Sequence, residues 1–366
     1  MNGKTWRACA VYFVLGYAVF QPAYADHESA ETILGQWQRF KERFHVLEPV
    51  KVPRPLTPST NQEAISRIAP TAKRFADETL SAIVVENGEL LFEAYAGGAN
   101  RESKLNAYSM TKSLTALAVG EALCAGKIKS LDDAATTYAP QLSGTAYGAS
   151  SIRNLLGYTS GAQDPGGDGY GGIHNGSDLR AMAGHKLSLV DLMKKYGEAR
   201  FEPGKKFIYN GLDSEALSVV VRGATGMPLP QWFEATVWLK AGAEFQSGWF
   251  LDRDGNGVAE MLYFGTTRDF ARIGLYVLDR LVGKSNDACM NGFIKEAAAP
   301  RINKGYWAPA PSFGLGLHAG ADGNTWILGH GGQRIGINAK TGRVLATNAA
   351  RQWRGYDDAA QGLLAY

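Results

Sequence analysis

The stretch Y-S-M-T-K-S at residues 108–113, followed at once by L-T-A-L-A-V-G-E-A-L, decides how the rest of the chain is read. Its apolar tail suits a helix interior, and Ser109 stands where such a helix would begin. Residues three apart on a helix lie one above the other, so Ser109 and Lys112 share a face wherever that helix packs. In the plain reading, Ser109 caps the helix and Lys112 lays its methylenes along apolar surface with its amine in water. In the catalytic reading, the apolar run carries Lys112 inward, where burial lowers the proton affinity of an ammonium and makes it a usable base. Ser-x-x-Lys alone arises often by chance, so its neighbours must decide.

Upstream, S-A-I-V-V-E-N-G-E-L-L-F-E-A-Y (81–95) is two β-rich runs joined by Asn87-Gly88, a strong hairpin signal. Downstream, helical patterns dominate to about residue 243. They are interrupted by D-P-G-G-D-G-Y-G-G-I-H-N-G-S (164–177), with six glycines in fourteen residues, a loop expected to be functional or mobile. A further helix opens after Thr266 as N-cap, with Asp269 three positions on. S-F-G-L-G-L-H-A, T-W-I-L-G-H and R-V-L-A-T-N then read as strands, with Asp322-Gly323 at a turn. Strands, then helices, then strands predict an α+β fold: an antiparallel sheet flanked by helices, built from about 61–104 and 262–366, with a helical subdomain inserted at about 105–261.

Ahead of this body, 26–60 reads as an amphipathic helix and then a stiff linker, P-V-K-V-P-R-P-L-T-P, with four prolines in ten residues. The catalytic body is expected to begin after it. Residues 1–25 read as a signal peptide: Lys4 and Arg7, an apolar run, then Ala23-Tyr24-Ala25, so that Asp26 begins the mature chain. The run is short for a bilayer span and ends at Gln21-Pro22. A periplasmic or secreted protein is expected, without membrane attachment once the segment is removed.

The full chain has 366 residues, 45% apolar and 20% charged, which excludes disordered and fibrous classes. Without Lys4 and Arg7, 36 basic residues face 35 acidic ones, which gives no reason to expect nucleic acid as a partner. Cys9 precedes the apolar run, which leaves Cys124 and Cys289. We expect two small buried thiols, with a disulfide as the alternative. Their spacing is not of zinc type, and we expect no metal or organic cofactor. D-R-D-G-N-G (252–257) mimics half a calcium loop, but its twelfth position is Tyr263, so it reads as a turn.

Four segments together carry a resemblance. Y-S-M-T-K-S-L, L-D-D-A-A-T-T-Y-A-P (131–140), I-R-N-L-L-G-Y-T-S-G (152–161) and G-H-G-G-Q (329–333) resemble, in order and spacing, the penicillin-recognising serine hydrolases. That β-lactamase-like group includes class C β-lactamases, D-alanyl-D-alanine carboxypeptidases, related esterases and 6-aminohexanoate-dimer hydrolases. The resemblance implies Ser109 as nucleophile, Lys112 as its helper and Tyr209, in P-G-K-K-F-I-Y-N-G, completing the proton path. A phenol beside an ammonium is expected to ionise more readily and so accept the serine proton. The third motif implies a strand on the opposite wall, with His330 in the lysine place, Gly331 and Gly332 allowing close approach, and Gln333 N–H pairing with Ser109 N–H as the oxyanion hole. The literal K-T-G at 340–342 falls between two strand-like runs and reads as a hairpin tip.

Three departures bear on substrate. Gly211 stands where relatives carry the asparagine of Tyr-x-Asn, with Asn210 one place early as a substrate-binding candidate. His330 is mostly neutral near pH 7, which weakens recognition of a substrate carboxylate. Glu260-Met261-Leu262 replaces a polar residue and paired glycines, leaving Glu260 either to bind a cationic amine or to be solvated. These losses favour hydrolysis of a small ester or linear amide through an acyl-serine intermediate. A D-alanyl-D-alanine carboxypeptidase or weak β-lactamase is the alternative, and a non-catalytic cell-wall binding protein a third.

Overall fold

The computed structural model describes residues 29–163, 165, 178, 181–182, 184–304, 309–352 and 355–365. The expected signal segment, Cys9, Asp26 and nearly all of the 164–177 loop lie outside them.

The Asn87-Gly88 pair makes the expected hairpin between strands Ser81–Glu86 and Glu89–Tyr95, with Asn87 at φ 50° and Gly88 at φ 91°. Ser81–Glu86 pairs on its other side with Arg343–Asn348 from the far end of the chain. A nine-stranded sheet grows from that junction, antiparallel except at one edge, where Thr57–Pro58 runs parallel to Glu89–Tyr95. Successive side chains of a strand point to opposite faces, and the burial follows that rule. Ile83 and Val85, with Val344 and Ala346, enter the main core. Ala82 and Val84, with Leu345, enter a second core roofed by helices Gln62–Glu78 and Tyr356–Ala365. Helix Thr267–Leu281 packs on the main-core face, capped by the Thr266 hydroxyl as expected. Its Gly274 approaches the sheet so closely that a Cβ would lie 2.4 Å from Val344.

Helix Met110–Cys124 is apolar on every side and has nearly every residue buried. Such a helix cannot lie at a surface; it runs through the main core and carries its first turn with it.

Two elements differ from the reading by sequence. The segment ahead of the body is woven into it: Phe44–Leu47 pairs with Ser247–Phe250 in a four-stranded sheet completed by Tyr263–Gly265 and Leu105–Asn106. The aromatic rings of Trp37, Phe40, Phe44, Phe250 and Phe264 hold this sheet together. The proline-rich stretch is tied down as well, by Val50 N–H to Ala243 and Arg54 N–H to Gly242. Second, Cys124 and Cys289 form a disulfide, Cα atoms 5.6 Å apart, in place of two buried thiols. The cause is packing of the two helices that carry them: a Cβ on Gly120 would lie 2.4 Å from the Phe293 ring, so Met110–Cys124 and Ala288–Ala298 cross in close contact. The two decoys are turns. Lys340 and Gly342 lie at the tip of a hairpin, and the Asp252 carboxylate folds onto backbone N–H groups of Asp254, Asn256 and Leu189.

A crosslink spanning 165 residues removes unfolded-chain entropy worth about 5 kcal/mol on the loop-closure model. Reduction, or Cys124→Ser with Cys289→Ser, is therefore expected to lower stability in urea by about 2–5 kcal/mol. Equal midpoints for oxidised and reduced protein would contradict this.

Candidate active site

Ser109 occupies the N-cap position of the central helix, but its hydroxyl makes no capping hydrogen bond. It faces Lys112 instead, whose Nζ donates to Ser109 Oγ at 3.2 Å, and it shares a hydrogen bond with the Tyr209 phenol. Tyr108, immediately before, is held at φ 45°, a left-handed conformation costly for a non-glycine residue. Two contacts hold it: its N–H donates to Asn106 Oδ1 at 2.9 Å, and Gln36 Nε2 donates to its hydroxyl at 3.3 Å. Gln36 comes from the N-terminal helix Ala30–Phe40, which thus braces the turn carrying Ser109.

Lys112 is only 6% exposed. Its Nζ also donates to the backbone carbonyl of Glu260 at 2.8 Å, lies 3.9 Å from Glu260 Oε2, and sits 5.3 Å from the centre of the Tyr209 ring. Burial pushes the lysine below its ordinary range, and the charges of Glu260 and Glu215 oppose that only in part. Tyr209 moves the other way: burial pushes its phenol above the ordinary range, outweighing the Ser109 hydrogen bond. From charge alone, the phenol is expected to ionise beside an ammonium. The geometry reverses this, because a group that loses water favours its neutral form: amine for lysine, phenol for tyrosine.

An aromatic wall stands beside Tyr209. Tyr158, at φ 53°, has its ring centre 4.9 Å from that of Tyr209 and its hydroxyl on Ser214; Phe313 lies beyond it at 5.2 Å. His318 lies 6.4 Å from Tyr209, and Lys304 Nζ is 2.8 Å from its Nδ1. Burial holds this imidazole in its neutral form.

The third motif reaches the start of the Ser109 helix but not as a strand. Residues 330–332 form a tight turn between strands Thr325–Leu328 and Arg334–Asn338. Gly331 at φ 72° and Gly332 at φ 102° impose the turn. Its approach to the helix start is close: a Cβ on Gly329 would lie 2.4 Å from the Ala107 carbonyl oxygen, and the exposed His330 ring meets Tyr108 edge-on at 5.8 Å. Gln333 N–H turns back to the His330 carbonyl at 3.5 Å, a long contact that holds it only weakly. The Gln333 side chain is spent inside, on His330 O and Ala349.

Two substrate-binding candidates are closed off from solvent. Asn210 is buried; its Oδ1 caps helix Gly211–Thr225, and its Nδ2 donates to the Tyr147 hydroxyl and the Gln163 carbonyl. One place early in the motif, it starts the helix and cannot hold a ligand. Glu260 is neither solvated nor set to receive an amine from solvent: it is fully buried beside Lys112. Glu215, Tyr158, His318 and Gln36 escaped the sequence reading. Glu215 gave a signal, an acid inside the apolar run of Gly211–Thr225, and Tyr158 another, its place in the 152–161 motif; His318 and Gln36 gave none.

With this geometry in place, the chain matches the Beta-lactamase family over residues 69–363. It belongs to that family. It is similar, at 22% identity over 91% of this chain and 93% of the relative, to the 6-aminohexanoate-dimer hydrolase of Paenarthrobacter ureafaciens. Among solved structures, its fold resembles a Bacillus anthracis protein described as a 6-aminohexanoate-dimer hydrolase (TM-score 0.65, 20% identity, 87% of this chain and 84% of that one). It also resembles EstCE1, a hydrolase with promiscuous acyltransferase activity (TM-score 0.64, 17% identity, 83% of this chain and all of that one).

One carboxyl near the site ties stability to pH. Asp213, in the first turn after Asn210, is buried, and that burial pushes it up to about 8 although the Ser160 hydroxyl donates to it at 2.6 Å. Its folded value lies above the unfolded value near 4, so between about pH 4 and 8 the folded chain holds a proton that the unfolded chain has released; stability falls as pH rises through that window. Asp213→Asn keeps an acceptor for Ser160 and cannot ionise. It is expected to stabilise the protein at pH 8 more than at pH 5, by roughly 1–4 kcal/mol of difference in urea unfolding. The same gain at both pH values would refute the assignment.

Proposed function

We propose that this protein is a serine hydrolase that cleaves a small ester or linear amide through an acyl-serine intermediate, in the manner of esterases and 6-aminohexanoate-dimer hydrolases. The observation that carries the reading is the placement of Ser109 Oγ against both Lys112 Nζ, at 3.2 Å, and the Tyr209 phenol. In its neutral form Lys112 takes the proton as Ser109 Oγ attacks the carbonyl carbon. The tetrahedral oxyanion is received by the N–H groups of Ser109 and Gln333. Tyr209, kept protonated by its surroundings, gives its proton to the leaving oxygen or nitrogen and is reprotonated from Lys112. The acyl-oxygen or acyl-nitrogen bond breaks, and water then repeats the sequence on the acyl-serine. These steps balance with the three side chains and water, with no metal or cofactor.

Two features support an ester or linear amide over a penicillin or D-alanyl peptide. Asn210, the nearest candidate for the family's amide-binding asparagine, is consumed as a helix cap, and His330 offers no permanent charge for a carboxylate. We also propose export to the periplasm or beyond, supported by the Ala23-Tyr24-Ala25 signature and by the disulfide.

A turnover panel of p-nitrophenyl esters, a 6-aminohexanoate dimer, nitrocefin and a D-alanyl-D-alanine peptide tests the reading. Ester or linear-amide turnover is expected, lost in Ser109→Ala and reduced about 10²–10⁴-fold in Lys112→Met and Tyr209→Phe. Strong nitrocefin turnover with inactive esters and amide would overturn the substrate assignment. Ser109→Ala retaining wild-type rates would overturn the mechanism.

A further inference from the structure

Below Lys112 lie two acids that the proton path above does not use. Glu215 comes from helix Gly211–Thr225, Glu260 from the segment before strand Tyr263–Gly265, and neither side chain has any exposure. Glu215 is bound at both oxygens: Ala259 N–H donates to Oε2 at 2.7 Å and Glu260 N–H to Oε1 at 3.1 Å. It thereby fixes the backbone of the residue whose carbonyl takes a hydrogen bond from Lys112 at 2.8 Å and whose carboxyl lies 3.9 Å from the same nitrogen.

We propose that Glu215 and Glu260 are positioning residues for Lys112: Glu215 clamps the loop that aims the amine at Ser109, and Glu260 supplies the buried charge that governs when the amine gives up its proton. The inference rests on the serine-hydrolase reading for its kinetic consequence, but its physical content stands on the contacts alone. Two carboxyls in one dry pocket repel, and both lie close enough to Lys112 for their charge to favour its ammonium. Glu215 is accordingly pushed up, by burial first and by Glu260 second. The other titratable groups facing Lys112 are Tyr209 and His318, with Tyr158 behind Tyr209. Burial favours the neutral form of all three, and of Glu215 as well, so the charge that acts most on the amine is that of Glu260.

Removing the negative charge at residue 260 disfavours the ammonium, so the amine becomes a neutral base at lower pH. In Glu260→Gln, the acid limb of kcat/KM for p-nitrophenyl acetate is expected to move down by about one pH unit or more, whereas Glu260→Asp keeps the limb near that of wild type. Glu215→Gln keeps one acceptor oxygen but loses one backbone clamp; it is expected to lower kcat with KM changed less than about twofold. A second readout needs no turnover: the 13Cε resonance of Lys112, titrated in the full-length protein. In Glu260→Gln its midpoint should fall with the kinetic limb, and in Glu260→Asp it should stay near that of wild type. A folded Glu260→Gln variant with neither midpoint nor limb displaced overturns the proposal. Inactivity of the wild type on every substrate, with the Lys112 midpoint still lowered in Glu260→Gln, would sink the hydrolase reading and leave the acid pair standing.

Discussion

The architecture of the site depends on one constraint: a lysine in the first turn of a helix that has no polar side. Because Met110–Cys124 is buried on all faces, Lys112 cannot swing out to water as a surface lysine would. Taking an ammonium out of water costs several kcal/mol unless partners replace its hydration. The fold supplies a backbone carbonyl, a hydroxyl, a carboxyl and an aromatic face. That combination is tight enough to hold the amine in place and incomplete enough to leave its proton loosely held, which is what a base requires.

Position and charge are set by different parts of the molecule. The first turn fixes the distance between Ser109 and Lys112 locally. Tyr209 enters because Asn210 starts the next buried helix, and Glu215 follows on that helix with a clamp on the Glu260 loop. The N-terminal helix reaches back through Gln36 to hold Tyr108 in its strained conformation. A segment that reads as a preamble is therefore part of the scaffold, because its aromatic residues complete a small sheet that cannot close without them.

Tyr209 and Lys112 also show how burial redistributes protons. A charge-based argument makes the phenol acidic beside an ammonium. In the folded site both groups lose water, and desolvation, the largest cause acting on each, outweighs their neighbours. Burial thus favours the protonated phenol and the neutral amine, the forms that the proposed mechanism uses.

The sequence by itself determined what depends on local pattern. The Asn87-Gly88 hairpin, the cap at Thr266, the apolar run after Lys112 and the i, i+3 relation of Ser109 to Lys112 follow from turn chemistry and periodicity, which act over a few residues. The order of segments also indicated an α+β body joined from both chain ends, realised in the pairing of Ser81–Glu86 with Arg343–Asn348. Tertiary structure alone decided that Cys124 and Cys289 meet, that Asn210 turns inward, that the His330 turn is not a strand, and that Glu260 lies beneath the lysine. Each of these hangs on a contact between residues far apart in the chain, or on how many water molecules a side chain keeps. Neither quantity exists until the elements pack, so no local pattern encodes it.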